Sequence, residues 1–256
     1  MLKPSERGFF VGYFKKVPAD VRRLMIGFIV FFIAGMASAS VLLSINTDSP
    51  GAGRYVDELR GDRLIGTMET SPYPILRVPG TSLRPPRAVM LAASGKFGVD
   101  DRALPLAGKA ARVGGVFVKR GDLEMLLVGG GDDLTAADPQ ATSLPTPSPS
   151  ENLGRWRLTG EICDGKCAAG AMKPGTGLAH KACANLCIDG GVPPVFVSTA
   201  PVDGHLYLLL ASRDGGPMPA SLLDKTGLAI ILDGMVERRD DLLIFKVDRI
   251  ADGEGV

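Results

Sequence analysis

Gly115-Val-Phe-Val-Lys-Arg-Gly-Asp-Leu-Glu-Met-Leu-Leu-Val128 aligns without a gap on Gly234-Met-Val-Glu-Arg-Arg-Asp-Asp-Leu-Leu-Ile-Phe-Lys-Val247. Glycine, arginine, aspartate, leucine and valine recur 119 positions apart, at 115/234, 120/239, 122/241, 123/242 and 128/247. Gly108 and Gly227 extend the same offset. Each copy reads as an apolar strand, a polar turn and a second strand, which is the signature of a β-hairpin. A constant offset over such a unit predicts a tandem duplication.

Working outward, the first copy has strand candidates at Arg63–Met68, Ala88–Ala93, Ala111–Val118 and Leu123–Val128. The second has Arg155–Cys163, Val195–Thr199, His205–Ala211, Leu228–Val236 and Asp241–Asp248. Asp203-Gly204, between two apolar runs, predicts a tight turn. Five short strands in such a segment fit a small, partly open Greek-key barrel of the OB type. A small sandwich satisfies the same strand count.

Between the copies, residues 129–153 contain a glycine run and then Pro139, Pro145, Pro147 and Pro149 among serine and threonine. Such composition predicts a semi-extended linker. At the other end, Leu24 to Ile45 holds no charged residue. Its 22 positions span roughly 33 Å as a helix, enough to cross a bilayer core. Lys3, Arg7, Lys15, Lys16, Arg22 and Arg23 precede that run, against Glu6 and Asp20. Cationic residues on the N-terminal side predict a cytosolic N-terminus. Ala37-Ser-Ala39 resembles a signal-peptide cleavage site, but the long charged region and the continuing apolar run favour an uncleaved anchor.

The expected fold is therefore mainly β: a transmembrane helix, then two tandem OB-like barrels, the second with a cysteine-rich helical insertion. The expected boundaries are a basic tail (1–23), an anchor (24–45), a stalk (46–62), a first barrel (63–128), a linker (129–153), a second barrel (154–250) and a tail (251–256). The expected location is a bacterial inner membrane, single-pass, with the barrels in the periplasm.

All four cysteines fall in one stretch, Cys163-Asp-Gly-Lys-Cys167 … His180-Lys-Ala-Cys183-Ala-Asn-Leu-Cys187. The run from His180 to Ile188 has helical character and stops at Gly190-Gly191 before Pro193-Pro194. On a helix, His180, Cys183 and Cys187 lie within about 60° of one another. Trp156, Leu158 and Ile162 alternate with Arg157, Thr159 and Glu161, which aims Cys163 at the polar face of its strand. Three chemistries compete. A metal site would use Cys167, His180, Cys183 and Cys187, with Cys163 as an extra ligand, and would suit zinc, iron or copper. A staple would close two disulfides between the Cys163/Cys167 and Cys183/Cys187 pairs, as an oxidising compartment allows. Thiol–disulfide exchange would need one pair to cycle, without the usual Cys-x-x-Cys.

The run Gly160-Glu-Ile-Cys-Asp164-Gly-Lys-Cys167, with His180-Lys-Ala-Cys183-Ala-Asn-Leu-Cys187-Ile-Asp-Gly190-Gly-Val-Pro193, resembles a group of small exported bacterial proteins. These carry Asp-x-x-Cys … Cys-x-x-x-Cys near the start of an OB-like barrel. The resemblance covers the second barrel only, implies no particular activity, and makes Cys163 an addition to the shared pattern.

Other classes find little support. A formal charge of +1 argues against nucleic acid as a partner. Gly160 to Cys167 nearly spells a phosphate loop but has Cys167 where magnesium needs a hydroxyl, which argues against nucleotide. Hydrolase, zinc-protease and covalent-haem motifs do not occur. The expectation is an accessory subunit of a membrane or periplasmic redox or metal-handling complex, not an enzyme by itself. Its membrane partner contact would be the N-terminal helix.

Overall fold

The computed structural model describes residues 17–46, 51–56, 63–138 and 144–251. The expected tails and parts of the expected stalk and linker lie outside the described residues. The chain divides into two units, Met1–Ser49 and Pro50–Val256. The first carries helix α1 (Ala19–Asn46). Its segment Val21–Leu42 is long and apolar enough to cross a membrane. Phe28, Phe31, Phe32 and Ile33 all stand exposed, so the helix has no polar face for water.

The second unit is built on β-strands, and two sheets account for them. The first contains β1 (Arg54–Val56), β2 (Leu64–Glu69), β3 (Ile75–Val78), β4 (Arg87–Ala93), β5 (Ala110–Val113), β6 (Gly115–Arg120), β7 (Leu123–Val128) and β8 (Leu134–Ala136). Its order is β1-β6-β7-β4-β3-β2-β5-β8, and a short helix α2 (Asp100–Ala103) follows β4. The second contains β9 (Glu151–Asp164), β10 (Pro194–Val202), β11 (His205–Ser212), β12 (Ile230–Arg239) and β13 (Leu242–Ile250). These five close into a barrel in the order β10-β11-β13-β12-β9. Helix α3 (Lys181–Asp189) lies between β9 and β10.

The 119-residue offset holds in three dimensions. β4 pairs β7 in parallel with Met90 opposite Met125, and β11 pairs β13 in parallel with Leu209 opposite Ile244. Both pairs shift by 119 positions. The hairpin turns agree as well: Gly121 has φ 57° and Asp240 has φ 54°. A side chain at Gly115 would strike Leu127 O, and one at Gly234 would strike Lys246 O, the equivalent atom. Glycine recurs at this point because two backbones approach too closely for a Cβ. In the first sheet, β5 and β6 are the two arms of one path bent at Gly114. β5 pairs β2 and β6 pairs β7, the two jobs that unbroken β12 does in the barrel.

Three apolar clusters hold the unit together. Leu76, Leu91 and Leu126 fill the first sheet, and Ile162, Phe196 and Phe245 fill the barrel. The third cluster lies between them and uses equivalent positions from each half. Ala88, Met90, Ala92, Leu123 and Met125 meet Tyr207, Leu209, Ala211, Leu242 and Ile244. Each half thus buries the same outer face, and each large side chain so buried contributes about 1.5–3 kcal/mol.

Polar ties reinforce this contact. Arg77 is 4% exposed and donates to Asp240 Oδ2 at 2.6 Å, Glu69 Oε1 at 2.8 Å and Ser148 O at 3.0 Å. Ala88 N donates to Asp241 Oδ1 at 2.7 Å, and His205 Nδ1 lies 3.1 Å from Asp122 Oδ2. Asp122 and Asp241 are themselves equivalent, so the ties are reciprocal.

Several local expectations change. The stretch expected as a linker supplies β8, with Leu134 and Ala137 buried, and its Ser148 carbonyl accepts Arg77. The expected stalk supplies β1, paired with β6. β3 has no counterpart among the strand candidates, because Pro74 and Pro79 leave a run of only four residues.

Candidate metal centre

Equivalent strands are joined very differently in the two halves. Residues 70–74 connect β2 to β3, whereas 165–193 connect β9 to β10. The long connection carries the cysteines. At its start, Asp164 Oδ1 accepts the Cys167 backbone N–H at 2.8 Å and so begins a helical turn, as a side-chain cap does. That turn breaks at Gly170, whose φ of 113° suits glycine. Glu161 then accepts Gly177 N at 3.0 Å and draws the chain back. Leu178–His180 forms a tight turn that leads into α3, which buries Ala184, Cys187 and Ile188. Gly191, with φ 91°, and Pro193 end the segment.

This path brings five donor groups together. The ligand atoms of Cys167, His180 and Cys183 lie within 4.8 Å of one another, as do those of Asp164, Cys167 and Cys187. Cys167 belongs to both groups. His180 Nε2 donates to Asp164 Oδ2 at 3.0 Å, and both residues are almost fully buried. All four cysteines are free thiols, so the two-bridge staple is not the arrangement present. Cys163 belongs to neither group; its Sγ donates to Gly175 O at 3.2 Å. It faces out from the barrel as strand alternation requires, yet it is buried in the shared apolar cluster. The insertion and the first sheet cover the face that alternation alone marks as polar.

Burial dominates the thiol electrostatics. It pushes the Cys163 and Cys167 thiols far up, and the neighbouring Asp164 charge adds to the effect. The Cys187 thiol is pushed up to about 11, again by burial first and Asp164 second. Buried sulfurs of this kind stay protonated unless a cation joins them.

The first half supplies part of the site. Lys96, in the loop after β4, places its Nζ 2.8 Å from Cys183 Sγ and 4.0 Å from Cys187 Sγ. The hydrogen bond to Cys183 raises the Lys96 pKa. Lys166 is 5% exposed and reaches across to the carbonyls of Gly95 and Ala93. A cavity of about 730 Å³ opens beside the cluster, with Cys167, Cys187, Met172, Lys96 and Lys166 in its wall.

Sequence reasoning singled out the four cysteines and His180; the structure places Asp164, Lys96, Lys166 and Met172 beside them and leaves Cys163 outside both groups. Asp164 and Lys166 sit inside the Cys-Asp-Gly-Lys-Cys run and were legible as potential partners. Lys96 lies 87 positions from Cys183, and nothing local announces it. Compared with known proteins, the chain matches no family model, no curated protein and no solved structure.

Proposed function

We propose that this protein is a membrane-anchored, extracytoplasmic accessory subunit of a redox or metal-handling assembly, and that its working part is a Cys/His metal site. One observation carries the reading: Cys167, His180 and Cys183 converge to ligand spacing, with Cys187 and Asp164 grouped on the same Cys167, and no sulfur is tied in a disulfide. Cys167, Cys183, Cys187 and His180 are then the ligands. Asp164 orients the imidazole through Nε2 and leaves Nδ1 for the ion, as carboxylate–histidine pairs do at metal centres. Three thiolates around a dication leave net negative charge, which the Lys96 and Lys166 ammonium groups offset. Zinc, iron and copper all suit such donors.

The two halves read as tandem OB-like barrels. In support, the barrel order β9-β10-β11-β13-β12, with its single parallel pair, is a five-stranded Greek-key ring. The first half repeats that order with a bent fourth path. α1 is the anchor, with the basic N-terminal side in the cytosol by the positive-inside rule and the barrels in the periplasm.

The test is metal analysis of the full chain purified in detergent, paired with a free-thiol count. A stoichiometric ion that is lost in His180→Ala is the expected result. Two closed disulfides and no metal would overturn the reading. A second reading, thiol exchange at Cys183, is favoured by the Lys96 contact, since a neighbouring ammonium activates a thiolate. It requires rapid alkylation of Cys183 in the wild type and slow alkylation in Lys96→Met.

A further inference from the structure

Met172 is an anomaly in the insertion. It is 48% exposed, yet its Sδ lies 3.6 Å from Cys183 Sγ and its side chain lines the cavity beside Cys167 and Cys187. A thioether in the core needs no explanation. One held at the surface against a thiol does.

We infer that Met172 and Cys183 form the capture site for a soft monovalent ion of the copper(I) class, which then passes to the buried Cys167 and His180; this rests on the metal reading above. Two independent observations point the same way. The first is the gradient of exposure along the donors. Met172 is exposed and Cys183 half-buried, whereas Cys167 and His180 are each 2% exposed. Cys183 is shared, being in contact with Met172 on one side and grouped with Cys167 and His180 on the other.

The second observation is the charge of the route. Lys96 and Lys166 stand in the cavity wall, and the other cation there, Arg63, is paired with Asp133 at 3.3 Å. Before the thiols lose their protons, these two ammonium groups repel a dication twice as strongly as a monocation. A neutral thioether favours copper(I) and adds little for zinc, which selects thiolate and imidazole.

The transfer is a ligand exchange without electron flow. The ion binds Met172 Sδ and Cys183 Sγ as the Cys183 thiol proton leaves to solvent and Lys96 Nζ gives up its place at Cys183. The bond to Sδ then breaks as bonds to Cys167 Sγ and to the free ring nitrogen of His180 form, Cys183 Sγ stays bound, and the Cys167 thiol proton leaves to solvent. The ion enters and remains copper(I).

The experiment uses the full chain in detergent, kept anaerobic, with the rate of copper(I) uptake from a chromophoric chelator followed optically and zinc(II) uptake timed separately. Met172→Leu keeps the side-chain volume at an exposed position, so the fold survives. Copper(I) uptake is expected to slow by about tenfold while zinc(II) uptake stays within about twofold of the wild type. An unchanged rate of copper(I) uptake, or equal slowing for both metals, overturns the capture role while the metal site stands. Zinc(II) binding without copper(I) binding does the same. A wild type that binds neither ion ends both readings.

Discussion

The first sheet and the barrel share strand order, parallel pair and hairpin turns, and they differ chiefly in one connection. Residues 70–74 suffice between β2 and β3, while the barrel places 165–193 there. The frame therefore contributes stability in both halves and carries the cysteine cluster in only one. The first half is nonetheless not idle, because its loop after β4 delivers Lys96 to the sulfurs and its outer face buries the insertion. Duplication here separates two tasks: one copy keeps a short turn and acts as the wall against which the other copy's insertion folds.

The largest test of this arrangement is Arg77→Leu, at a position whose barrel counterpart by strand register is Val197. It leaves Asp240 buried without a cation, and a loss of about 3–5 kcal/mol is expected by chemical denaturation. A small loss would mean that the two halves dock by apolar contact alone. Next come Met90→Ala and Leu209→Ala, equivalent members of the shared cluster. Each should lose about 3 kcal/mol within the range for such cavities, and the two values should agree closely. If only one variant unfolds the chain, the reciprocal docking is wrong.

His180→Ala probes the connection itself. It leaves the buried Asp164 Oδ2 without its imidazole partner, so a loss of about 1–3 kcal/mol should accompany the loss of metal binding proposed above. Smaller again is the pair Gly108→Ala and Gly227→Ala. Both glycines are left-handed, with φ 71° and 69°. Each should lose about 1–2 kcal/mol from backbone strain alone. Gly227 should lose more than Gly108, because a Cβ there meets Gly177 O at 2.8 Å, whereas the one at Gly108 meets nothing. Equal losses would show that the insertion yields freely.

The smallest effect is acid sensitivity confined to the barrel. Asp233 accepts Arg157 Nε at 2.8 Å and Arg249 Nε at 2.8 Å, and those hydrogen bonds hold its carboxyl well below the ordinary 3.8. A depressed folded-state pKa contributes stability that is fully present above the ordinary value and is lost as pH falls below it. The position equivalent to Asp233 is Gly114, which carries no carboxyl. Asp233→Asn should flatten the acid limb of a stability–pH curve, and an unchanged slope would rule the assignment out.

Much of this was legible in the chain. The hairpins could be read because strand alternation and turn residues are local signals, and the offset repeated them. Asp203-Gly204 was readable for the same reason and forms the turn between β10 and β11, with φ 48° and 84°. The helix after Pro174 followed from a 3.6-residue period, but the expected single face of His180, Cys183 and Cys187 did not. His180 lies in the turn before α3 and groups with Cys183 and Cys167, whereas Cys187 groups with Asp164 and Cys167. What escaped was non-local. β3 is too short between its prolines to carry a pattern. Alternation gave the direction of Cys163 but not what covers it. Lys96 reaches the thiols only because the first sheet and the barrel dock, and docking leaves no mark in either sequence taken singly.

That lysine has a practical consequence. A truncation that keeps residues 151–251 would strip the sulfurs of a donor they now have, and would lay bare Tyr207, Leu209 and Ile244, whose partners come from the other copy. Excised in this way, the barrel would be sticky and its thiols wrongly poised, so thiol reactivity measured on the fragment would misreport the intact chain.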